Sequence, residues 1–127
     1  MKVLANELQN LGFTDKEARV YLTGLALGAS AVQVIARESG VNRATTYVII
    51  DQLTERGLFS SEKRGKKRYF VAEHPNRLVE WFESEIRMLK ERYDRLHGVL
   101  GQLTTLVPVE THTATAQVDE AGVVETA

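Results

Sequence analysis

A cluster of five cationic side chains falls within six consecutive residues: Lys63, Arg64, Lys66, Lys67 and Arg68. Such a cluster can neutralise phosphate groups of a nucleic acid, and each neutralised phosphate steepens the salt dependence of binding. Gly65 interrupts the cluster and allows a tight turn. Because apolar runs flank the segment, the sequence predicts a β-hairpin whose tip carries the charge. Its strands are expected at residues 58–61 and 68–71, joined by residues 62–67.

The segment before this hairpin, residues 43–56, has the spacing of a helix with one buried face. Its inward positions are Thr46, Ile49, Ile50 and Leu53. Its outward face carries side chains that can contact DNA: Arg43, Ala44, Thr45, Tyr47, Val48 and Gln52. In a major groove, Arg43 can pair with guanine or phosphate, Gln52 can reach a base edge, and Val48 can touch a thymine methyl group. The alternative is a solvated helix face in a protein-binding domain.

A tight turn links this helix to a shorter one before it. Ser30 is the expected N-cap of a helix over residues 31–38. Gly40 supplies the positive φ that the turn needs, and Asn42 is the expected N-cap of the helix that follows. Two helices joined in this way form a helix-turn-helix, to which the basic hairpin adds a wing. Ser30, Gln33 and Asn42 therefore join the residues expected to contact DNA.

Two further helices are predicted ahead of this motif. The first covers about residues 2–11, with these inward positions: Val3, Leu4, Leu8 and Leu11. Thr14 and Glu17 form a capping box for the second helix, which is expected to reach residue 27 and to end at Gly28. The inward positions of this second helix are Ala18, Tyr21, Leu22 and Leu25.

A long helix is predicted after His74-Pro75, with Asn76 as its cap and Pro108 as its end. Apolar residues follow along it at alternating spacings of three and four: Val79, Phe82, Ile86, Leu89, Tyr93, Leu96, Leu100, Leu103 and Val107. Such a repeat over about four heptads predicts a coiled coil. We expect the first eight of these residues to form a homodimer interface, and the alternative is a helix that returns against its own domain. Trp81 lies off this line and is expected to pack against the winged domain of its own chain or against that of the partner.

Charge is unevenly distributed, although the net charge of the chain is only −1. Residues 1–77 carry 12 Lys/Arg and 8 Asp/Glu, and residues 42–68 carry 7 and 3. Residues 107–127 carry no Lys or Arg and 4 Asp/Glu. Because local charge governs binding to phosphate, the net charge does not argue against a nucleic-acid partner.

Composition and motifs argue against several other classes of protein. The chain has no cysteine, which excludes disulfides and thiolate nucleophiles. The three histidines, His74, His97 and His112, are scattered, and no nucleophile elbow, phosphate loop or GxGxxG occurs, so we expect no enzyme, metal site or cofactor. No apolar run reaches the length of a membrane span, and the first residues do not form a signal peptide. A cytoplasmic protein is expected.

The sequence resembles the TrmB-like transcriptional regulators. Residues 11–22 read LGFTDKEARVYL, against a family pattern close to L-G-L-T-x-x-E-A-x-V-Y-x-x-L. The similarity continues through residues 35–41 (IARESGV), Arg43, Tyr47, Leu53 and Gly57, and covers roughly residues 4–75. It implies a winged-helix, usually dimeric DNA-binding regulator of archaea or bacteria, associated with the nucleoid. Two departures are a threonine at position 46, where a hydrophobic residue is common, and no room for the effector domain of sugar-sensing members.

The expected fold is mainly α with a small β-hairpin. A winged helix-turn-helix DNA-binding domain is expected over residues 1–75, a coiled-coil dimerisation helix over residues 76–107 and a disordered tail over residues 108–127. The expected function is a homodimeric transcriptional regulator that binds double-stranded DNA, with its recognition helix in the major groove and its wing on the phosphates. The alternatives are a protein–protein adaptor and a sequence-nonspecific chromatin protein. The sequence identifies no effector ligand, although a small-molecule site near Trp81 is a further hypothesis.

Overall fold

The computed structural model describes residues 1–109, which form five helices and one two-stranded antiparallel sheet. The elements are α1 (Lys2–Asn10), α2 (Asp15–Leu27), α3 (Val32–Ser39), α4 (Arg43–Glu55), β1 (Phe59–Arg64), β2 (Lys67–Ala72) and α5 (Asn76–Thr105). Helices α3 and α4 are the helix-turn-helix, and the β1–β2 hairpin is the wing. The predicted fold class, a winged helix-turn-helix followed by a long helix, is therefore confirmed.

The chain divides into two compact units, Met1–Glu83 and a second unit that begins at Ser84. The first unit holds the hydrophobic core, to which α2, α3, α4 and the hairpin all contribute. The side chains that are most completely buried there are Val20, Ile35, Thr46, Ile50, Leu53 and Leu58. The four inward positions predicted for α4 are all buried, so the helical spacing identified its core face correctly.

The first two helices are joined by a turn and a capping box. The Thr14 side chain accepts a hydrogen bond from the Glu17 N–H at 3.1 Å, and the Glu17 carboxylate accepts one from the Thr14 N–H at 3.0 Å. These two bonds satisfy backbone donors at the start of α2 that have no partner within the helix. The predicted capping box is thus confirmed, as is the end of α2 at Gly28, where φ is +74°.

The apolar face predicted for α1 is buried only in part. Leu8 lies in the core, whereas Val3, Leu4 and Leu11 are 73%, 56% and 49% exposed. Leu25 in α2, also expected to face inward, is 36% exposed. Helical spacing identifies an apolar stripe but does not show whether a neighbouring element covers it, and these four positions were assigned to the core incorrectly.

The start of α3 differs from the prediction. Ser30 does not cap this helix, because its backbone pairs with Phe70 of β2, donating to the Phe70 carbonyl at 3.0 Å and accepting from the Phe70 N–H at 2.8 Å. The Ser30 hydroxyl donates to the Gly28 carbonyl at 3.0 Å. Ala31 takes the N-cap position without a side-chain hydrogen bond. Ser30 therefore anchors the wing to the helix-turn-helix.

The turn between α3 and α4 has the predicted geometry. Gly40 adopts φ +75°, and its N–H donates to the Ala36 carbonyl at 3.0 Å. Val41 is buried beneath the turn. The Asn42 side chain accepts a hydrogen bond from the Thr45 N–H at 2.8 Å, which confirms Asn42 as the N-cap of α4.

Thr46 is completely buried although it is polar. Its hydroxyl lies 2.8 Å from the Asn42 carbonyl and 3.2 Å from the Val41 carbonyl, so it has acceptors within the turn itself. A buried hydroxyl without such acceptors would destabilise the fold. The threonine that departs from the family pattern is accommodated because it bonds the first turn of its own helix.

The wing is longer than predicted. Cross-strand pairs run from Phe59 opposite Ala72 to Arg64 opposite Lys67, so the cluster supplies the last two pairs of the ladder as well as the turn. Gly65 and Lys66 make a two-residue turn in which Gly65 has φ +65°. A glycine with positive φ at the first position is typical of type II′ hairpin turns. The backbone pairing between β1 and β2 continues into the charged residues, and both strands are therefore longer than predicted.

The first turns of α5 pack against the rest of the first unit. The helix begins at Asn76, and its N–H donates to the His74 ring Nδ1 at 3.0 Å, so the capping acceptor is His74 and not the predicted Asn76. The Trp81 ring centroid lies 6.0 Å from that of Phe13. Trp81 therefore packs against the winged domain of its own chain, which is one of the two expected positions.

The second unit, from Ser84, contains the remainder of α5. Its apolar positions from Ile86 to Leu103 are all exposed. The helix ends at Thr105, so Val107, predicted as its last apolar position, follows the helix. Within residues 1–109, no helix is long and apolar enough to cross a membrane. The expectation of a disordered tail concerns residues 110–127 for the most part, and these lie outside the described range.

Candidate nucleic-acid interface

The outward face of α4 is open to solvent. The candidate contact residues Arg43, Ala44, Tyr47, Val48 and Gln52 are exposed, and Thr45 is half-buried. Tyr47 and Val48 remain 42% and 53% exposed even though both are large and apolar in part. An exposed patch of this kind on a rigid helix is a common feature of binding surfaces. The face predicted for base contact is thus available to a partner.

Two residues of this face are also tied to the scaffold. The Tyr47 ring lies edge-on to Phe70 of β2, with centroids 6.2 Å apart. Asn42 is exposed, but its side-chain oxygen already accepts the Thr45 N–H. The Asn42 amide nitrogen is the group that remains to donate to a phosphate. These contacts hold the start of α4 and the wing in a fixed relation within the first unit.

The wing places like charges directly opposite one another. Lys63 is paired with Arg68, and Arg64 with Lys67, across the two strands. Like charges at opposed positions destabilise a hairpin, and all four side chains are exposed. Folding alone therefore does not favour this arrangement, and an anionic partner would relieve the repulsion.

The cations of the wing are not equally available. Arg64 pairs with Glu62, and its guanidinium carbon lies 5.0 Å from the centroid of the Tyr69 ring. Within residues 1–109 no ion pair is found for Lys63, Lys66, Lys67 or Arg68. Lys66, at the turn, and Lys67, beside it, are consequently the cations least committed to the fold.

A groove of about 650 Å³ lies between the wing and the start of α3, with Tyr47 contributed by α4. It brings together six of the predicted contact residues: Ser30, Gln33, Tyr47, Lys66, Lys67 and Arg68. Arg43, Gln52, Lys63 and Arg64 do not line this groove. The candidate interface therefore consists of the α4 face and a separate cationic groove beside it.

The structure makes one predicted contact residue less accessible and adds other residues to the groove. Ser30 lines the groove but is only 9% exposed, and its hydroxyl is bonded to Gly28, so it offers little surface to DNA. Besides the six predicted residues, five others line the groove: Ala29, Ala31, Val32, Val34 and Tyr69. Tyr69 lies in a predicted strand, and nothing in its local sequence indicates that it faces a groove shared with α3.

Arg56, the residue that follows α4, makes structural contacts that the sequence did not predict. Its guanidinium nitrogen lies 3.3 Å from the Glu17 carboxylate, and its guanidinium carbon lies 5.6 Å from the Phe13 ring centroid and 5.2 Å from the Trp81 ring centroid. Arg56 therefore connects the end of α4 to α2 and to the first turns of α5. In the sequence Arg56 is a single cation at the end of a predicted helix, and this pattern does not indicate which residues Arg56 contacts.

Tyr21 is the residue of the core whose ionisation is clearly perturbed. Burial of the phenol, and secondarily the nearby charge of Glu73, raise the pKa of Tyr21 above its ordinary value of 10.0. The hydroxyl donates to the Glu73 carbonyl at 2.9 Å. This bond ties α2 to the residue that follows β2 and has no evident part in binding. Among the described residues, no group of three or more His, Asp or Glu side chains could hold a metal ion.

Comparison with known proteins places these features in a family. Residues 8–75 match the family model described as sugar-specific transcriptional regulator TrmB. The HTH-type sugar sensing transcriptional regulator TrmBL1 of Pyrococcus furiosus is 29% identical over 98 residues. That match covers 74% of this chain and 28% of TrmBL1.

Solved structures show a similar fold. TrmBL2, an archaeal chromatin protein with a novel mode of DNA binding, has a TM-score of 0.70 at 22% identity, over 83% of this chain and 41% of TrmBL2. A MarR family transcriptional regulator from Silicibacter pomeroyi has a TM-score of 0.50 at 22% identity, over 81% of this chain and 82% of the other. At these identities the likeness concerns the fold alone. The chain spans less than half the length of TrmBL1 and of TrmBL2.

Proposed function

Because this chain belongs to the TrmB family of transcriptional regulators, we propose that it binds double-stranded DNA as a homodimer and regulates transcription. The observation that carries this proposal is the pairing of like charges across the wing, beside an exposed recognition-type helix. Duplex DNA presents a dense line of phosphates, which is the kind of partner that relieves such repulsion. The family consists of regulators of transcription, which agrees with the expectation that the chain is no enzyme.

In the proposed complex, α4 enters the major groove. Arg43 stands in the first turn of the helix, where helix-turn-helix proteins contact base edges, and Gln52 lies about two and a half turns further along the exposed side. Arg43 pairs with guanine or with a phosphate, whereas Val48 and Thr45 contact apolar parts of the bases. Ala44 has no polar group and permits close approach of the helix to the groove.

The wing and the cationic groove contact the sugar–phosphate backbone. Lys66 and Lys67 are free of ion pairs within the described residues, and Gln33 and Tyr47 supply hydrogen-bonding groups in the same groove. Contacts of this type fix position on the duplex but do not read its sequence. We therefore assign sequence preference to α4 and most of the salt-dependent affinity to the wing.

The homodimer is proposed from α5. Its apolar line is predicted as an interface from Val79 to Leu103, and the part from Ile86 onward is exposed in the described part of the second unit. In this scheme residues 1–75 bind DNA and residues 76–107 form the dimerisation helix. A dimer with two-fold symmetry binds two half-sites about 10 bp apart or at multiples of that spacing.

One pair of variants tests the roles of helix and wing. The double variant Lys66→Gln/Lys67→Gln should weaken binding to a promoter duplex and to a random duplex alike. It should make the log–log salt slope shallower by about 1.8 per protomer, because each lost phosphate contact contributes about 0.9. Arg43→Ala should instead reduce the preference for the promoter over the random duplex.

The matched control is Lys2→Gln/Lys16→Gln, which removes the same charge from exposed sites on α1 and α2. If this control lowers the salt slope as much as the wing variant does, net charge and not the wing governs binding. An adaptor function would leave DNA binding undetectable in every variant. Equal affinity of wild-type protein for both duplexes would favour sequence-nonspecific binding. The structurally similar TrmBL2 is a chromatin protein.

A further inference from the structure

The second unit exposes a continuous apolar line along α5. Six positions follow one another at spacings of three and four: Ile86, Leu89, Tyr93, Leu96, Leu100 and Leu103. Their side chains are between 45% and 65% exposed. In heptad terms Ile86, Tyr93 and Leu100 are a positions, and the three leucines between and after them are d positions. An exposed apolar line of this kind marks an interaction site.

We infer that a second copy of this chain covers the line in a parallel, in-register orientation. The inference rests on the proposed homodimer and adds the direction of pairing, which decides which side chains meet. It is carried by the charges that flank the apolar line. These occupy the e and g positions, which set partner choice and orientation in coiled coils.

Glu85 and Lys90 are the flanking pair that favours the parallel orientation. Glu85 precedes the first a position of the line, and Lys90 follows the first d position. In a parallel in-register pair, each g residue faces the e residue five positions later on the other helix. Glu85 of each copy then faces Lys90 of the other, which gives two attractive contacts related by symmetry.

Lys90 already has a partner on its own helix. Its ammonium lies 3.3 Å from both Asp94 carboxylate oxygens, and both side chains are largely exposed. An ammonium has three donors, so Lys90 can contact Asp94 and the Glu85 of a second copy together. The next flanking pair in this orientation is Arg92 with His97, which adds no second pair of opposite charges.

Antiparallel pairing gives no equivalent arrangement. If all six apolar positions overlap, with Ile86 opposite Leu103, Lys90 faces His97 and Glu85 faces no cation. If one helix moves by a heptad, Lys90 faces Lys90 of the second copy and Arg92 faces Arg92. A further heptad brings Glu85 opposite Arg92 and Glu83 opposite Lys90, but Leu100 and Leu103 then lose their cover. The parallel register alone combines full apolar cover with attractive flanking charges.

A single cysteine tests the orientation directly, because the chain has none. In the parallel dimer the two copies of residue 103 lie side by side at a d position, within disulfide reach. In the fully overlapped antiparallel dimer they are separated by 17 residues, about 25 Å at 1.5 Å per residue. Leu103→Cys should therefore cross-link almost completely under mild oxidation, as read on a non-reducing gel. The control Gln102→Cys, on the outer face, should not.

A charge exchange provides the second test. Glu85→Lys and Lys90→Glu should each raise the dimer dissociation constant several-fold, and the double variant should restore it. In the antiparallel register that brings position 85 opposite Arg92, the double variant would place two cations against each other and would not restore it. Far-UV circular dichroism of each variant at a concentration that favours dimer verifies that the helix forms.

The outcomes separate this inference from the proposed function. Sedimentation of the full chain as a dimer, with cross-linking at position 103 and restoration by the double variant, supports the parallel pairing. A dimer without cross-linking at position 103 overturns the orientation and leaves the homodimer intact. A monomer at all concentrations overturns both. DNA binding, measured by fluorescence anisotropy on the same samples, is judged independently of these results.

Discussion

The contact between Arg56 and Glu17 should be a principal support of the winged domain. The Glu17 side chain is only 9% exposed and that of Arg56 29%, so the pair is largely removed from water. Glu17 also accepts the Thr14 N–H as part of the capping box. We predict that Arg56→Met, which keeps most of the aliphatic part of the side chain but removes the charged guanidinium, destabilises the domain substantially.

The magnitude follows from the burial of the pair. An exposed ion pair contributes about 0.2–1 kcal/mol, whereas removal of one partner from a buried pair costs about 3–5 kcal/mol. Since Arg56 keeps some contact with solvent, we expect about 2–3 kcal/mol. Loss of the cation–π contacts with Phe13 and Trp81 adds about 0.5–1 kcal/mol. A domain of this size is stable by only about 4–12 kcal/mol, so the loss is a large fraction of the total.

A double-mutant cycle separates charge from packing. Glu17→Gln retains an oxygen that accepts the Thr14 N–H but carries no charge. In the double variant Glu17→Gln/Arg56→Met no buried carboxylate is left unpaired, so it should be more stable than Arg56→Met alone by about 1–2 kcal/mol.

Urea unfolding of the four proteins measures these differences. Trp81 is the only tryptophan of the chain and packs against Phe13, so its emission reports unfolding of the first unit. A loss below about 1 kcal/mol for Arg56→Met would refute the reasoning, because the pair would then behave as an exposed one. A double variant no more stable than Arg56→Met would show that lost packing, not the unpaired carboxylate, is the cause.

Two further predictions concern packing and ionisation. A Cβ at Gly24 would lie 2.6 Å from the Phe59 ring, so Gly24→Ala should lower the stability of the fold by about 1–3 kcal/mol. A Cβ at Gly98 meets open space within α5, so Gly98→Ala should stabilise the helix by about 0.5–1 kcal/mol. Thermal melts followed by circular dichroism compare the two variants. The raised pKa of Tyr21 means that the folded state holds the phenolic proton more tightly than the unfolded state. The stability that the raised pKa of Tyr21 contributes is fully present below about pH 10 and is lost as the pH rises through the pKa of the folded state. Tyr21→Phe should cost about 1 kcal/mol at pH 7 through loss of the bond to Glu73, yet decline less steeply above pH 10 in urea titrations; an equally steep decline would contradict this.

Features decided by a few neighbouring residues were predictable from the sequence. The capping box at Thr14 and Glu17, the left-handed Gly40 and the Asn42 cap each depend on residues within one turn. The buried face of α4 also followed from spacing, because a period near 3.6 places its apolar residues on one side. The order of elements and the winged-helix fold could be predicted for the same reason.

Features decided by distant residues were not predictable. Ser30 has the side chain of an N-cap, but its backbone pairs with Phe70, forty residues away. Leu4 has the spacing of a core residue, but no element of the described chain covers it. Arg56 meets Glu17 across 39 residues. In each case the local sequence pattern is present, but contacts with distant parts of the chain determine the role of the residue.

The candidate site shows the same division. The cationic residues of the wing could be identified from composition, whereas their cross-strand opposition depends on the register of the hairpin. The groove that joins Gln33 to Lys66 and Lys67 depends on how α3 meets the wing. The residues assigned to DNA contact remain predictions, since their exposure makes contact possible without selecting a base or a phosphate.

Fluorescence anisotropy of the wild-type protein with duplex DNA, over a series of salt concentrations, tests the central claim most directly. One labelled duplex carries the promoter of the protein's own gene, and the other has a random sequence of the same length. We predict preferential binding to the promoter and a log–log salt slope of about −3.6 or steeper, as two phosphate contacts from each of two wings would give. Absence of binding to both duplexes at low salt would contradict the account.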